Sequence, residues 1–207
     1  MRLLAPLLIV ATLASGSAVL AQQTGPNTLP GRAAPPSEPE RRTPDLRHQS
    51  RLDQLFERLA ASGTEIEANS LSDQIARIWA RSGSDTLDLL MDRVQQAIQA
   101  ADGVLALDIL DSVLALKPDW AEAYSRRATV HFQLKDFDAA MRDLRQTLVL
   151  EPRHFPALAG VGLIFQQGGN NRQALAAFRE ALKFNPYFKG IRQAAERLAV
   201  EHDGQQI

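Results

Sequence analysis

The chain of 207 residues contains no cysteine. That removes disulfide cross-links, thiolate metal sites, a thiol nucleophile and the cysteine on which a bacterial lipoprotein anchor depends. Charge of one sign is equally scarce: 23 basic residues stand against 24 acidic ones, a formal net charge of −1. There is therefore no electrostatic case for nucleic acid or for an anionic membrane surface. Aromatic residues are 6% of the chain, and no stretch reads as a strand, so no glycine-rich phosphate loop follows one. The four histidines, His48, His131, His154 and His202, show no metal-ligand spacing. His131 is expected as a core histidine between helices. Asp108 and Asp111 read as helix surface, Asp136 and Asp138 as a turn cap. Together these absences predict a protein that is not an enzyme and that needs no cofactor and no metal.

What the chain does have is a period. Pro118, Pro152 and Pro186 stand 34 residues apart in matching surroundings, Leu116-Lys117, Leu150-Glu151 and Phe184-Asn185. Ala106, Ala140 and Ala174 keep the same step, as do Leu110, Leu144 and Phe178, and Leu114, Leu148 and Leu182. A step of this size is that of a stacked helical hairpin. Alanine recurs where two helices must approach to about 8–10 Å, and Ala128 and Gly162 supply the matching notch on the preceding helix. Each proline then ends the second helix of its unit, because it lacks an amide donor and clashes with the carbonyl one turn back.

Trp120-Ala-Glu-Ala-Tyr124, Ala128, Ala140, Leu148 and Pro152 together resemble the tetratricopeptide repeat (TPR). The resemblance places units at 87–120, 121–154 and 155–188, within a repeat region spanning 86–188. It implies an all-α fold, a right-handed α-solenoid of TPR hairpins with an N-terminal helical hairpin and a C-terminal capping helix. Helices are expected at about 86–100 with 104–116, 120–133 with 137–150, and 156–167 with 171–184. Gly103 and Gly168-Gly169 fall in the turns inside units, whereas the middle unit uses Leu134-Lys135-Asp136 without glycine, a costlier turn. Residues 189–203, with Ile191, Ala194, Ala195 and Leu198 on one side and charge on the other, read as the capping helix, and 204–207 as a tail.

Ahead of the units, Met1-Arg2, the apolar run Leu3 to Ala14 and Ser17-Ala18-Val19-Leu20-Ala21 have the layout of a secretory signal cleaved after Ala21. The expected setting is thus exported and periplasmic, not a lipoprotein, with no membrane contact beyond the signal. Residues 22–46, with Pro26, Pro30, Pro35, Pro36 and Pro39, read as a disordered linker. Residues 47–85 carry two apolar stripes, Leu52, Leu55, Phe56 and Leu59, then Ile66, Leu71, Ile75, Ile78 and Trp79. They are expected to form a degenerate hairpin capping the array. The stretch from Ile78-Trp79 to Leu89-Leu90-Met91 is similar to one in small exported TPR proteins of Gram-negative bacteria.

The resemblance also implies that the first helix of each unit lines the concave wall. The expected partner-binding groove is Met91, Gln95 and Ile98, then Glu122, Ser125, Arg126, Thr129 and Phe132, then Ala159, Leu163 and Gln166. Met91, Ile98, Phe132 and Leu163 would form an apolar floor, and the Arg126 fork would take a carboxylate. Such a wall suits an extended segment or amphipathic helix of another protein. Compared with TPR domains that clamp chaperone tails, the corresponding places hold Met91, Gln95, Arg126, Pro156 and Gly160, which argues against that ligand. The expected role is a protein-protein interaction module, an adaptor or scaffold of the cell envelope. A second arrangement is a self-associating structural protein, a homo-oligomer in which the helix from Lys189 to His202 docks into a neighbour's groove.

Overall fold

The computed structural model describes residues 38–204, so the expected signal segment, the linker up to residue 37 and residues 205–207 lie outside the described residues. Among the described residues there are nine helices and no strand: α1 Glu38–Ala60, α2 Glu65–Trp79, α3 Asp85–Gln99, α4 Gly103–Leu116, α5 Ala121–Gln133, α6 Phe137–Leu150, α7 Phe155–Gln167, α8 Asn171–Phe184 and α9 Lys189–Gly204. α1 takes in residues 38–46, which the proline density assigned to the linker. Pro39 stands in its first turn, where the missing amide would have no partner inside the helix anyway.

Helices α3/α4, α5/α6 and α7/α8 are the three repeated hairpins. Each turns over through a residue in the left-handed region at one 34-residue step, Ala101 (φ 57°), Lys135 (φ 64°) and Gly169 (φ 73°). The next amide, that of Asp102, Asp136 or Asn170, returns to the carbonyl of Ala97, His131 or Phe165 at 2.8–2.9 Å, which closes the helix end. Asp102 and Asp136 then cap the following helix, accepting from the amides of Leu105 and Ala139. Two of the three turns thus force a side chain into a conformation that glycine adopts freely. Gly103, expected in a turn, is the first residue of α4.

The small residues sit where the helices cross. Ala106, Ala140 and Ala174 are fully buried, and a Cβ on Gly162 would overlap the buried ring of Phe178. On the far side of α5, Arg127 forks onto the buried carboxylate of Asp143 with Nε and Nη2 both at 2.8 Å, and its Nη1 reaches Asp111 of the first unit at 2.6 Å. The contact with Asp143 holds the guanidinium above its ordinary pKa, against the opposing effect of burial. His131 lies beside this pair, its Nε2 3.9 Å from Asp143, half-buried between helices.

The N-terminal hairpin does not stack on α3/α4. Leu52, Leu55, Phe56 and Leu59 of α1 and Leu71, Ile75 and Trp79 of α2 share one core with Phe155, Leu175, Phe178 and the apolar side of α9, whereas α3 and α4 form a separate core with Trp120 and with Ala123 and Val130 of α5. Phe56 meets Phe155 and Phe184 edge-on at 6.5 and 6.0 Å. Arg153 lies over the Phe56 ring and pairs with Asp53 at 2.6 Å, and Asn185 donates to Ser72 at 3.0 Å. The hairpin therefore lies across the turns that carry Pro152 and Pro186. The α9 stripe of Ile191, Ala194, Ala195 and Leu198 is buried in that same core, so it is not free to enter a neighbour's groove.

Four substitutions followed by thermal or urea unfolding check this architecture. Gly162→Ala is expected to cost about 1–3 kcal/mol, because the overlap with Phe178 outweighs the helical preference of alanine, while Gly190→Ala in α9, where a Cβ meets nothing, is neutral to stabilising. Lys135→Gly should stabilise by about 1 kcal/mol. Trp79→Ala should cost about 3–5 kcal/mol and, by hydrogen exchange, loosen α1 and α2 more than α4 and α6.

Candidate functional site

The first helices of the units, α3, α5 and α7, form one wall, and α2 stands across its N-terminal end. Between them lies a slot of about 490 Å³ lined by Ser72, Asp73, Ala76 and Trp79 of α2, Gln95 and Ile98 of α3, Glu122, Ser125, Arg126 and Thr129 of α5, His154, Phe155 and Pro156 at the start of α7, and Phe188. A smaller hollow of about 280 Å³ shares Gln95 and Arg126 with it and is otherwise lined by Ala80, Arg81, Asp88, Met91 and Asp92.

A chain of hydrogen bonds crosses the floor of the slot and touches all three units. Arg126 donates from Nη1 to Gln95 Oε1 at 2.6 Å and from Nε to Glu122 Oε1 at 2.8 Å. The other carboxylate oxygen of Glu122 lies 3.3 Å from His154 Nε2. His154 Nδ1 accepts from the amide of Ala157 at 3.1 Å, capping α7, so the neutral ring carries its hydrogen on Nε2 and donates to Glu122. His154 is 1% exposed and stacks on Trp79, with centroids 4.3 Å apart and planes at 23°. The Trp79 carbonyl in turn accepts from the indole of Trp120 at 2.8 Å. The Trp79 indole nitrogen is itself buried with no acceptor among the described residues.

Six of the eleven residues expected in the groove line this slot: Gln95, Ile98, Glu122, Ser125, Arg126 and Thr129. Two are withdrawn from the surface. Met91 is 4% exposed because it faces the core of the first unit, and Ala159 is 3% exposed within the core that the N-terminal hairpin joins. Phe132, Leu163 and Gln166 lie on later turns of α5 and α7, beyond the slot; Phe132 packs edge-on against Phe137 at 5.4 Å. Arg126, read as a receptor for a partner's carboxylate, already holds Glu122 and Gln95.

His154 and Trp79 were not among the expected groove residues, yet for His154 a signal existed. Trp120, His154 and Phe188 are 34 apart, a ring at the last position of every unit. In the structure that row lies under α2. Asp88 belongs to the smaller hollow: its carboxylate accepts from Ser82 Oγ at 2.6 Å and from the Ser82 amide at 2.8 Å. Burial pushes its pKa up, but these bonds and the Arg81 charge outweigh that and hold it below the ordinary value.

The tetratricopeptide repeat family model matches residues 121–154 and 155–188. A TPR repeat-containing protein of Rhizobium etli is 37% identical over 160 residues, which are 77% of this chain and 78% of that protein. Among solved structures, the type III secretion chaperone SycD of Yersinia enterocolitica, in complex with a peptide of the translocator YopD, superposes with a TM-score of 0.54 at 15% identity, over 57% of this chain and 96% of that one. The first TPR of Spaghetti (RPAP3), bound to the HSP90 peptide SRMEEVD, gives 0.53 at 15% identity, over 56% and 93%. Two consecutive matched units and a relative 37% identical along most of its length place the conclusion beyond the fold alone: this chain belongs to the tetratricopeptide repeat family.

Proposed function

We propose that the protein is a non-enzymatic interaction module of the cell envelope, an adaptor or scaffold that holds a segment of a partner protein against the wall formed by α3, α5 and α7. The observation that carries the reading is the slot of about 490 Å³ whose floor is tied together by Gln95, Arg126, Glu122 and His154. These bonds fix the side chains before any ligand arrives, which lowers the ordering cost of binding. Solved relatives in fold hold peptides, an HSP90 peptide on RPAP3 and a YopD peptide on SycD. The envelope setting rests on the signal layout of residues 1–21 and on the similarity to small exported proteins of Gram-negative bacteria. The partner reading is favoured over self-association through α9 because the apolar side of that helix is already buried in its own chain.

The test is site-specific photocrosslinking of the tagged full-length protein in its native envelope. A crosslinker at Ser125 or Thr129, inside the slot, is expected to trap a discrete partner, while one at the exposed Val149 of α6 traps none. Thr129→Arg, which fills the slot and leaves the Arg126 contacts alone, should reduce partner recovery roughly tenfold, the effect of losing about 1.4 kcal/mol. Equal trapping from both faces, or recovery untouched by Thr129→Arg, would rule out this wall as the binding surface. Fractionation and N-terminal sequencing test the setting: a mature chain beginning at Gln22 in the periplasmic fraction is expected, and an uncleaved chain in the cytoplasm overturns it.

A further inference from the structure

We infer that the segment held in the slot is short, extended and apolar and carries a lysine or arginine, so that the partner is recognised through a basic side chain and not an acidic one. The inference rests on the groove reading above and adds the ligand's chemistry. The argument begins with charge. The slot and its neighbouring hollow together present four carboxylates, Asp73, Asp88, Asp92 and Glu122, and two guanidinium groups, Arg81 and Arg126. Both cations are already matched: Arg126 holds Glu122 at 2.8 Å and Arg81 lies 3.5 Å from Asp88. His154 is turned to Glu122 through Nε2 and to the Ala157 amide through Nδ1, and Lys189, at the start of α9, pairs with Glu65. Arg77, one turn beyond Asp73 on α2, lines neither hollow. Among the described residues Asp73 and Asp92 have no cation within ion-pair distance, and each lines one of the two hollows. The surplus that a ligand meets is negative on both sides of Arg126.

Shape and lining supply the rest. Trp79, Ile98, Phe155, Pro156, Ala76 and Phe188 give the slot its apolar surface. One turn of a helix with side chains, 5.4 Å long and 10–12 Å wide, sweeps roughly 500 Å³, so a single turn would fill a slot of about 490 Å³. The several turns over which an amphipathic helix spaces its anchors exceed a slot of this volume, whose opposite side α2 lines with Ser72, Asp73, Ala76 and Trp79. An extended chain needs only about 3.3 Å per residue and can present alternate apolar side chains to the wall while the intervening ones reach the rim. A cation at such a rim position would lie against Asp73.

The experiment applies the full-length protein to an immobilised library of randomised hexapeptides, acetylated and amidated so that termini add no charge. Retained peptides are expected to be enriched in Lys and Arg over Asp and Glu by at least about fivefold, the effect of one solvent-exposed charge pair at contact distance. The double variant Asp73→Asn, Asp92→Asn should retain apolar peptides and lose that enrichment, with an unchanged circular dichroism spectrum. Enrichment in Asp and Glu, or none in either sign, overturns the basic-ligand inference and leaves the groove standing. If no peptide is retained, or if Ser125→Arg leaves retention unaltered, the groove reading falls with it.

Discussion

Two helices come within packing distance only where a small residue on one admits a large residue of the other, and in this chain that exchange is repeated once per unit. Gly162 faces the ring of Phe178 so closely that a single methyl group would collide with it, and Ala106, Ala140 and Ala174 are wholly enclosed at equivalent crossings. Because interiors are close-packed and transmit strain, these crossings set the rotation of every first helix about its axis. That rotation decides which side chains face the wall. Gln95 and Arg126 meet because the first two units are held at one separation, and Glu122 meets His154 because the next separation is comparable. The polar chain on the floor is thus a consequence of the alanine and glycine spacing, not an independent feature laid over it.

The N-terminal hairpin changes what that wall can hold. A hairpin stacked ahead of α3/α4 would have lengthened the trough and left its floor open. Instead α2 lies over a row of rings, Trp120 donating to the Trp79 carbonyl, His154 stacked on Trp79, and Phe188 beside Phe155. Burying a ring as large as that of Trp79 in such a cluster contributes on the order of 2–3 kcal/mol, and its buried indole donor, without an acceptor among the described residues, takes part of that back. The result is a short slot between α2 and the wall, with the guanidinium that lines it, Arg126, tied to Glu122.

The repeat was legible in detail because it rests on steric exclusions that a sequence displays directly. Proline ends a helix, a small residue admits a crossing helix, and the 34-residue step repeats both, so α3 to α8 fall within a residue or two of the expected bounds. The turn of the middle unit was legible too: Lys135 takes a left-handed backbone because nothing else closes the helix there. The docking of α1 and α2 was not. Leu52, Leu55, Phe56 and Leu59 announce that one face is buried, and an apolar stripe carries no address. The address lies in pairs more than eighty residues apart, Asp53 with Arg153 and Ser72 with Asn185, which no local pattern links. The same holds for Arg126, which lines the slot but whose availability depended on Glu122 and Gln95 claiming it. The short reach of Met91 and Ala159 from the core follows equally from packing that only the assembled units define.

One polar contact breaks the period, and its position is instructive. Arg127 and Asp143 form a two-pronged pair in the middle unit, but the equivalent places one step on hold Val161 and Ala177, and one step back Arg93 and Ile109. Burying such a pair seldom gains stability over apolar residues of the same size, because desolvation offsets the attraction. What it does impose is a penalty on the wrong arrangement. Hairpins built to one template present similar small and apolar residues at their crossings, so a mispairing with the wrong hairpin, as between two molecules, would keep part of the leucine and alanine contacts. It would, however, set Arg127 or Asp143 against an apolar side chain, and an uncompensated buried charge costs about 3–5 kcal/mol. The third contact, Arg127 with Asp111 of the first unit, extends the same discrimination across the boundary between units. Similar small-residue crossings supply the stacking, and the Arg127–Asp143 pair with its arm to Asp111 adds a contact that only the native neighbours satisfy.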